Sequence, residues 1–456
     1  MEEIVSVSPL DESVLGKIPV FTEKEIVGAV ENARAAFAGW SAKPVEERVS
    51  LLRELKPLVR ARAKEIARVV HREMGKPEWS ALSEVESVIE SIDFHCDNDS
   101  KYLEPVVLSR AGEKENLQVF EPLGVIAVIT PWNFPFAIPF DGILPALISG
   151  STVVLKPSEQ TMLVGMEVKK IFRELEKKGL PEHVFNFVAG GKEQGRFLVK
   201  QDIDMVSFVG SRRAGVEIMR DSAEKLHRLV LELGGKDPAI VCSDADLGKT
   251  AKGIVHGAMR NCGQVCCSIE RAYVVEDVYD EFVKLAEKET RAVKFGSEKD
   301  SYIGPLVGEF QRRVVREHLG DAVEKGAEVL VGGNAPKRKG FWFPPTLVVN
   351  VNHKMKLMTE ETFGPVLPVM KVSSVDEAVS LSNDSIYGLT ASVWTEDREK
   401  GKQVARRLVA GTVTVNRRGG VKEGCPWGGA KQSGIGRQMG PDSVRNYTEV
   451  KHLWVE

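Results

Sequence analysis

The stretch Gly124-Val125-Ile126-Ala127-Val128-Ile129-Thr130-Pro131-Trp132-Asn133 decides the fold of this chain. Its five consecutive apolar residues, 125–129, are typical of a strand that is buried on both faces, as in a parallel sheet. In open α/β sheets, ligands bind beyond the carboxyl ends of the strands. Asn133 is therefore expected where its side-chain amide can donate a hydrogen bond to a developing oxyanion. A turn-forming asparagine is the alternative.

A second apolar strand, residues 152–155, ends in Lys156-Pro157-Ser158-Glu159. A lysine and an acid at a strand end suit a nucleotide ribose, because the carboxylate accepts hydrogen bonds from ribose hydroxyls. The same carboxylate repels a 2'-phosphate. This strand end therefore indicates a nucleotide site.

A third strand, residues 205–209, runs into Gly210-Ser211-Arg212-Arg213-Ala214-Gly215 and an amphipathic helix. A glycine turn before a helix offers backbone N–H groups to a phosphate. The G-x-G-x-x-G fingerprint is absent, so the turn by itself is weak evidence. Within a run of strand–helix units, it predicts an α/β fold that binds a dinucleotide.

A fourth strand, residues 229–231, ends at Glu232-Leu233-Gly234-Gly235-Lys236. Glu232 lies among apolar residues and glycines, where burial raises the pKa of a carboxyl group and suits it to act as a general base. A helix cap or a salt-bridge acid is the alternative. The glycine pair predicts a hinge between two domains.

Two adjacent thiols, Cys266 and Cys267, lie within the stretch 261–271, Asn-Cys-Gly-Gln-Val-Cys-Cys-Ser-Ile-Glu-Arg. A thiolate is a strong nucleophile toward a carbonyl carbon, and covalent attack divides one difficult step into two easier ones. Small buried structural cysteines are the alternative. Strands and helices alternate again on both sides of this stretch, which predicts a second α/β block.

The remaining segments carry weaker signals. Residues 23–94 contain three segments of helical periodicity, and Pro57 is expected to interrupt the second. Residues 101–118 predict a β-hairpin used for assembly, with a surface loop as the alternative, and residues 444–454 predict a terminal strand. An acid and an aromatic, Glu361 and Phe363, can hold a ribose and pack beside a nicotinamide; a strand-opening turn is the alternative.

Composition excludes several classes of function. The chain has 456 residues, 43% hydrophobic and 28% charged, as in ordinary globular proteins. Its net charge of -3 implies no basic field for nucleic acid. No secretory leader and no apolar run of roughly 20 residues is evident, so neither export nor a membrane span is expected. The six cysteines form neither a disulfide framework nor a zinc site, which predicts a reduced, cytoplasmic enzyme.

Seven short stretches, taken in order, resemble the aldehyde dehydrogenase superfamily over nearly the whole chain. They are residues 131–133, 156–159, 208–211, 232–236, 263–266, 361–365 and 426–434. The resemblance implies an α/β fold with a Rossmann-type cofactor domain, an α/β catalytic domain and a small β oligomerisation arm. The implied bounds are 1–100 and 119–232 for the NAD(P)-binding domain, 233–432 for the catalytic domain, and 101–118 and 433–456 for the arm.

The resemblance also implies NAD(P)-dependent oxidation of an aldehyde to its carboxylic acid, through a thiohemiacetal and a thioester on sulfur. It makes Cys266, rather than Cys267, the nucleophile. Asn133 would stabilise the oxyanion, and Glu232 would activate water. The implied cofactor-binding residues are Thr130, Trp132, Lys156, Ser158, Glu159, Gly210, Ser211, Gly215, Leu233, Gly234, Glu361 and Phe363. No metal is implied.

Cofactor preference and substrate stay open at this stage. Glu159 favours NAD, whereas the arginines at 212–213 can accept a 2'-phosphate and leave NADP as a secondary cofactor. Basic residues 417, 418 and 422 indicate an anionic aldehyde such as a semialdehyde, with solvated loop residues as the alternative. The expected partners are a small aldehyde and further copies of the chain, as a dimer or tetramer, with no nucleic acid and no membrane.

Two rival functions remain. A CoA-acylating aldehyde dehydrogenase passes the acyl group to CoA instead of water. Glu232 argues against it, because hydrolysis needs a base and thiolysis does not. The other rival is a catalytically silent homologue kept for binding or structure, which the complete set of Asn133, Glu232 and Cys266 argues against.

Overall fold

The computed structural model describes residues 2–112 and 114–456. Met1 and Glu113, which fall in the predicted segments 1–100 and 101–118, lie outside the described residues. The helices are α1 Glu23–Ser41, α2 Val45–Arg53, α3 Leu55–Met74, α4 Glu78–Tyr102, α5 Ala137–Ser149, α6 Met162–Glu176, α7 Lys192–Val199, α8 Arg212–Ser222, α9 Leu247–Met259, α10 Glu276–Ala292, α11 Glu309–Glu324, α12 Lys356–Thr359, α13 Val375–Asn383, α14 Arg398–Arg407 and α15 Pro441–Arg445. The strands are β1 Glu3–Val7, β2 Val14–Pro19, β3 Val106–Ala111, β4 Lys114–Pro122, β5 Val125–Ile129, β6 Thr152–Lys156, β7 Phe185–Phe187, β8 Met205–Val209, β9 Arg228–Glu232, β10 Asp237–Val241, β11 Ile269–Val275, β12 Glu328–Val331, β13 Thr346–Val349, β14 Val366–Val372, β15 Thr390–Trp394, β16 Thr412–Val415, β17 Gly434–Ile435 and β18 Thr448–Val455.

The first large sheet has six strands in the order β17-β9-β8-β5-β6-β7. All neighbouring strands are parallel except β17, which runs antiparallel to β9. Every residue of β5 is buried, as its continuous apolar sequence predicts, because helices cover both faces of a parallel sheet. The predicted α/β fold is confirmed.

The second large sheet has seven strands in the order β12-β13-β14-β11-β10-β15-β16, parallel except for β12. Only four residues, 233–236, separate the end of β9 at Glu232 from the start of β10 at Asp237, and they link the two sheets. The glycine pair lies in this link. The carboxyl end of β9 is thereby held beside the second sheet.

The third sheet, β18-β4-β3, is antiparallel. It confirms the predicted hairpin at 101–118, although β4 continues to Pro122. The terminal strand begins at Thr448 rather than Val444, because residues 441–445 form α15. Since β17 joins the six-stranded sheet, residues 433–456 contribute to two sheets.

The opening block of the chain contains one interruption between helices that was predicted and one strand pair that was not. The predicted interruption is confirmed: α2 ends at Arg53 and α3 begins at Leu55, because the Pro57 ring conflicts with the carbonyl group four residues earlier. The antiparallel pair β1–β2 was not predicted, since its residues show no alternation strong enough to separate from a loop. None of the described helices has the length and apolar character needed to cross a bilayer.

Candidate active site

Cys266 lies in the turn between α9 and β11, where the backbone adopts unusual conformations. Asn261 and Cys262 have φ values of 53° and 57°, in the left-handed region that side chains other than glycine seldom occupy. Gly263 also has a positive φ of 72°, and a Cβ there would overlap the Gly364 carbonyl oxygen. Such conformations persist only where the surroundings enforce them. The surrounding chain therefore holds the turn, and with it Cys266, in one conformation.

Hydrogen bonds join Asn133 to this turn. The Asn133 amide nitrogen donates to the Gln264 carbonyl oxygen at 3.2 Å, and the Asn261 amide nitrogen donates to the Asn133 carbonyl oxygen at 3.1 Å. The Gln264 side chain is itself anchored, because its Oε1 accepts from the Val307 N–H at 2.8 Å. A side-chain amide carries two N–H donors, so Asn133 keeps one for a substrate oxygen.

Glu232 ends β9 as a buried carboxyl group with 3% exposure. Neither of its oxygens has a hydrogen-bond partner within the described residues. Burial raises its pKa well above the ordinary value, the charge of Arg437 acts in the opposite direction, and Asp141 raises the pKa further. A carboxyl group with a raised pKa and no hydrogen-bond partner is a stronger proton acceptor than an ordinary glutamate.

The two adjacent thiols titrate as a coupled pair. Their mutual hydrogen bond raises the pKa of Cys266 well above its ordinary value, and burial and the negative charges nearby act in the same direction. The same hydrogen bond lowers the pKa of Cys267 to about 7, and the guanidinium groups of Arg260 and Arg418 contribute. Of the two thiols, Cys267 is therefore the one whose pKa lies closer to neutrality.

A groove of about 290 Å³ opens beyond the carboxyl ends of β5, β6 and β8, beside the N-terminus of α8. The predicted residues that line it are Thr130, Trp132, Lys156, Ser158, Glu159, Gly210 and Ser211. Ser211 caps α8, since its hydroxyl accepts from the Ala214 N–H at 3.3 Å. A helix N-terminus that opens on a groove is a site for phosphate, so these residues fit the pyrophosphate of a dinucleotide.

At the ribose end of the groove, Lys156 and Glu159 lie together. Their Nζ and Oε2 atoms are 3.7 Å apart, and Lys156 is nearly buried. Burial lowers the pKa of Lys156, whereas Glu159 raises it. Arg213 lines the same groove, so the pocket presents both the acid that favours NAD and a cation that can meet a 2'-phosphate.

The other predicted cofactor residues lie outside that lining. Gly215 packs against Leu233: a Cβ at Gly215 would lie 2.8 Å from the Leu233 Cδ2 atom. Gly234 likewise leaves space that Glu361 fills, since a Cβ there would overlap the Glu361 carboxylate. The structure therefore brings the link 233–236 against the loop around Glu361.

Glu361 and Phe363 lie at the end of the groove towards the link. The Gly235 N–H donates to Glu361 Oε1 at 3.0 Å. Burial, together with the charge of Glu270, raises the pKa of Glu361 to about 8. The Phe363 ring meets the Trp132 ring edge-on at a centroid distance of 5.4 Å, which joins this loop to the wall of the groove.

Sequence reasoning missed Glu270, whose carboxylate organises that loop. It accepts hydrogen bonds from the Thr362 and Phe363 N–H groups, both at 2.8 Å, and pairs with Lys236 Nζ at 2.6 Å. The Lys236–Glu270 pair lies in the interior, and the Lys236 side chain is fully buried. The available signal was a pair of charged residues, Glu270 and Arg271, at the start of a strand that ends in apolar residues.

The comparisons with known proteins agree with this geometry. The model of the aldehyde dehydrogenase family matches residues 1–453. The chain is 37% identical to lactaldehyde dehydrogenase from Escherichia coli, over 99% of this chain and 94% of that protein. It is 34% identical to betaine aldehyde dehydrogenase from Bacillus subtilis, again over 99% of this chain and 94% of that protein.

A solved structure gives the same result for the fold. The NAD+ complex of an aldehyde dehydrogenase from Bacillus cereus superposes with a TM-score of 0.96 at 37% identity, covering 100% of this chain and 93% of that one. The resemblance found in the sequence is confirmed. The chain belongs to the aldehyde dehydrogenase family, and it is an NAD(P)-dependent oxidoreductase that acts on aldehydes.

Proposed function

We propose that Cys266 attacks the aldehyde carbon and carries the acyl group through the reaction. The proposal is supported above all by one observation: the turn that carries Cys266 is hydrogen-bonded to Asn133, the predicted oxyanion donor. The pKa of the adjacent Cys267 is lowered to about 7, and in this proposal Cys267 accepts the proton that Cys266 loses. The new C–S bond then gives a thiohemiacetal whose oxygen receives the free N–H of Asn133.

The groove residues hold the dinucleotide in this proposal. Ser211 and the N-terminus of α8 bind its pyrophosphate, while Lys156 and Glu159 bind a ribose. Glu361 and Phe363 lie at the nicotinamide end. When bound, the nicotinamide accepts the hydride whose loss converts the thiohemiacetal into a thioester.

Glu232 then activates the water that hydrolyses the thioester. Its two unpaired oxygens can accept a proton from water, and its raised pKa makes it a stronger base than an ordinary carboxylate. Water attack breaks the C–S bond, releases the carboxylic acid and returns Cys266. The same carboxyl group disfavours the CoA-acylating alternative, because thiolysis needs no base at this position.

Several finer features belong to the proposal as well. We favour NAD over NADP because Glu159 lies in the groove at the ribose end.

The three-stranded sheet is the proposed oligomerisation arm, and its strands expose apolar side chains such as Leu108 and Trp454. Six free cysteines are compatible with a reducing cytoplasmic compartment. The domain bounds given above stay a prediction.

The test is cofactor reduction by the purified enzyme with a panel of aldehydes. We expect NADH formation with at least one aldehyde, release of one carboxylic acid for each NADH, and no dependence on CoA. Cys266→Ser should abolish turnover while NAD still binds. An absolute requirement for CoA, or full activity of Cys266→Ser, would overturn the proposal.

A further inference from the structure

Lys76 and Glu84 form a buried ion pair that the reaction above does not use. Lys76 lies in the turn between α3 and α4, and Glu84 lies on the second turn of α4. Lys76 Nζ donates to Glu84 Oε2, and the two side chains are 0% and 1% exposed. Burial lowers the pKa of Lys76 to about 8, whereas Glu84 raises it and so helps to keep the ammonium charged. Apolar residues of similar volume often stabilise a protein as well as a buried ion pair does, so stability alone does not account for this pair.

Glu84 holds the start of α5, the helix that follows Asn133. Its Oε1 accepts hydrogen bonds from the Phe136 N–H at 2.8 Å and from the Ala137 N–H at 3.2 Å. Because α5 begins at Ala137, these N–H groups have no partner within the helix. A carboxylate is favoured there, since the N-terminus is the positive end of the helix dipole. Glu84 thereby fixes the chain three and four residues after Asn133.

Lys76 holds the residue directly after Asn133. Its ammonium nitrogen lies 3.7 Å from the centroid of the Phe134 ring, a distance at which a cation is attracted to the face of an aromatic ring. The guanidinium carbon of Arg260 lies 5.7 Å from the same centroid. Phe134 also packs against the apolar cluster that contains Cys267. The ring therefore joins Lys76 to the turn that carries the two thiols.

The turn that carries Lys76 also contacts the segment that anchors Gln264. Gly75 ends α3 with a φ of 83°, and a Cβ there would lie 2.7 Å from Pro305 Cγ. The Pro305 carbonyl oxygen accepts a hydrogen bond from Gln264 Nε2 at 3.4 Å. Since Asn133 donates to the Gln264 backbone, both partners of that hydrogen bond are connected to the turn at Lys76.

We propose that Lys76 and Glu84 are positioning residues for the reaction, which hold the Asn133 amide where it meets the substrate oxygen. The pair fixes the chain that follows Asn133, through the Phe134 ring and the start of α5. Misplacing a catalytic group by about 1 Å can lower a rate by about 10². The inference rests on the proposed function, because the pair acts through the oxyanion role of Asn133.

The experiment compares Glu84→Gln in the wild-type enzyme with the same change in Asn133→Ala. Rapid mixing at saturating NAD and aldehyde gives the rate constant for the first NADH, for the fraction of enzyme that binds NAD in a fluorescence titration. We expect Glu84→Gln to lower this rate constant by about tenfold or more in the wild type, and by less than about twofold in Asn133→Ala. An amide that is absent cannot be misplaced, whereas a general structural defect would slow both enzymes alike.

Glu73→Gln is the matched control. Glu73 is also fully buried, and it accepts hydrogen bonds from the Leu163 and Val164 N–H groups at 2.9 and 2.8 Å, at the start of α6. It therefore makes the same kind of contact with a helix that does not follow Asn133. We expect Glu73→Gln to lower the urea midpoint for unfolding and to keep the wild-type rate constant.

A second variant avoids an unpaired buried charge. Lys76→Met/Glu84→Gln removes both charges together, which is far less costly than breaking a buried pair from one side. It takes the cation from the Phe134 ring and leaves the start of α5 with a neutral acceptor. We expect the first turnover to be about tenfold slower in the wild type and little changed in Asn133→Ala.

The outcomes separate the two proposals. Equal losses in the wild type and in Asn133→Ala, or a double variant with the wild-type rate constant, overturn the positioning role and leave the proposed function intact. A Glu73→Gln enzyme that is slowed as much as Glu84→Gln also overturns the positioning role. If Asn133→Ala itself keeps the wild-type rate constant, the oxyanion role in the proposed function is rejected, and the positioning role with it.

Discussion

The Asn133 side-chain amide donates to the Gln264 carbonyl oxygen at 3.2 Å, two residues before Cys266. The Asn261 amide donates to the same oxygen at 3.1 Å. One carbonyl group therefore fixes both the proposed oxyanion donor and the turn that presents the nucleophile. These positions lie far apart in the chain, on either side of the link between the two large sheets.

We expect Asn133→Ala to lower kcat by 10² to 10³, equivalent to about 2.7–4 kcal/mol, because one oxyanion donor is lost. Asn133 is not among the residues that line the dinucleotide groove. The dissociation constant for NAD, measured by fluorescence titration, should therefore stay near the wild-type value. An unchanged kcat would contradict the role assigned to the amide.

Removing the base should separate the two chemical steps. In Glu232→Gln, the first NADH still forms as a rapid burst, whereas steady-state turnover falls by about 10²–10⁴ because water is no longer activated. Rapid mixing measures both phases. Since burial raises the pKa of Glu232, wild-type kcat should fall with decreasing pH as that carboxyl group becomes protonated. Glu232→Gln should lack this acidic limb; a variant that keeps it would show that another group is responsible.

The thiol pair predicts an ionisation close to neutrality. Because the pKa of Cys267 is lowered to about 7, the ultraviolet absorbance of thiolate should rise as pH increases through that value. Cys267→Ser should lose the step, since desolvation also raises the pKa of the remaining thiol at Cys266. Cys242→Ser is the control, because burial raises the pKa of Cys242 to about 11 and the step should remain. Persistence of the step in Cys267→Ser would place the charge elsewhere.

Cofactor preference should depend on the acid at the ribose end of the groove. Two like charges about 4 Å apart repel by ~1 kcal/mol in bulk water and by ~4 kcal/mol near a protein surface. We therefore expect Glu159→Gln to reduce the preference for NAD over NADP by about tenfold. Initial rates with each cofactor measure it, and Arg213→Gln should shift the preference in the opposite direction. A wild-type enzyme that prefers NADP would contradict the role of Glu159.

The buried pair of Lys236 and Glu270 should matter for stability as well as for the site. Glu270→Gln leaves the Lys236 ammonium buried without its charge partner, which typically costs about 3–5 kcal/mol. We expect a lower urea midpoint for unfolding and a higher KM for NAD, since Glu270 holds the N–H groups of Thr362 and Phe363.

The matched control removes the same charge from an exposed pair. Glu399 pairs with Lys402 at 2.7 Å on the surface, and such pairs contribute about 0–1 kcal/mol. Equal unfolding midpoints for Glu270→Gln and Glu399→Gln would mean that the buried pair is not structurally important.

Much of the fold follows from local sequence. The predicted strand 205–209 has the same bounds in the structure, because a run of apolar residues is a property of neighbouring positions. The antiparallel pair β1–β2 was missed, because its strands show no clear alternation of apolar and polar residues. The last helix of the opening block continues to Tyr102, beyond the predicted limit at residue 94, because its final residues are polar.

The site residues likewise divide into those that local sequence could assign and those that it could not. Glu159 and Ser211 could be assigned to the groove because strand ends and helix N-termini are local features. The role of Glu270 could not be assigned, since it depends on the packing of elements distant in the chain.

The sequence by itself determined the family, the buried parallel strands and the identity of the reactive groups, because these depend on residue types at fixed spacing. Only the tertiary structure decided which groups are charged. Burial and neighbouring groups act through space: they raise the pKa of Cys266 and of Glu232 and lower that of Cys267 to about 7.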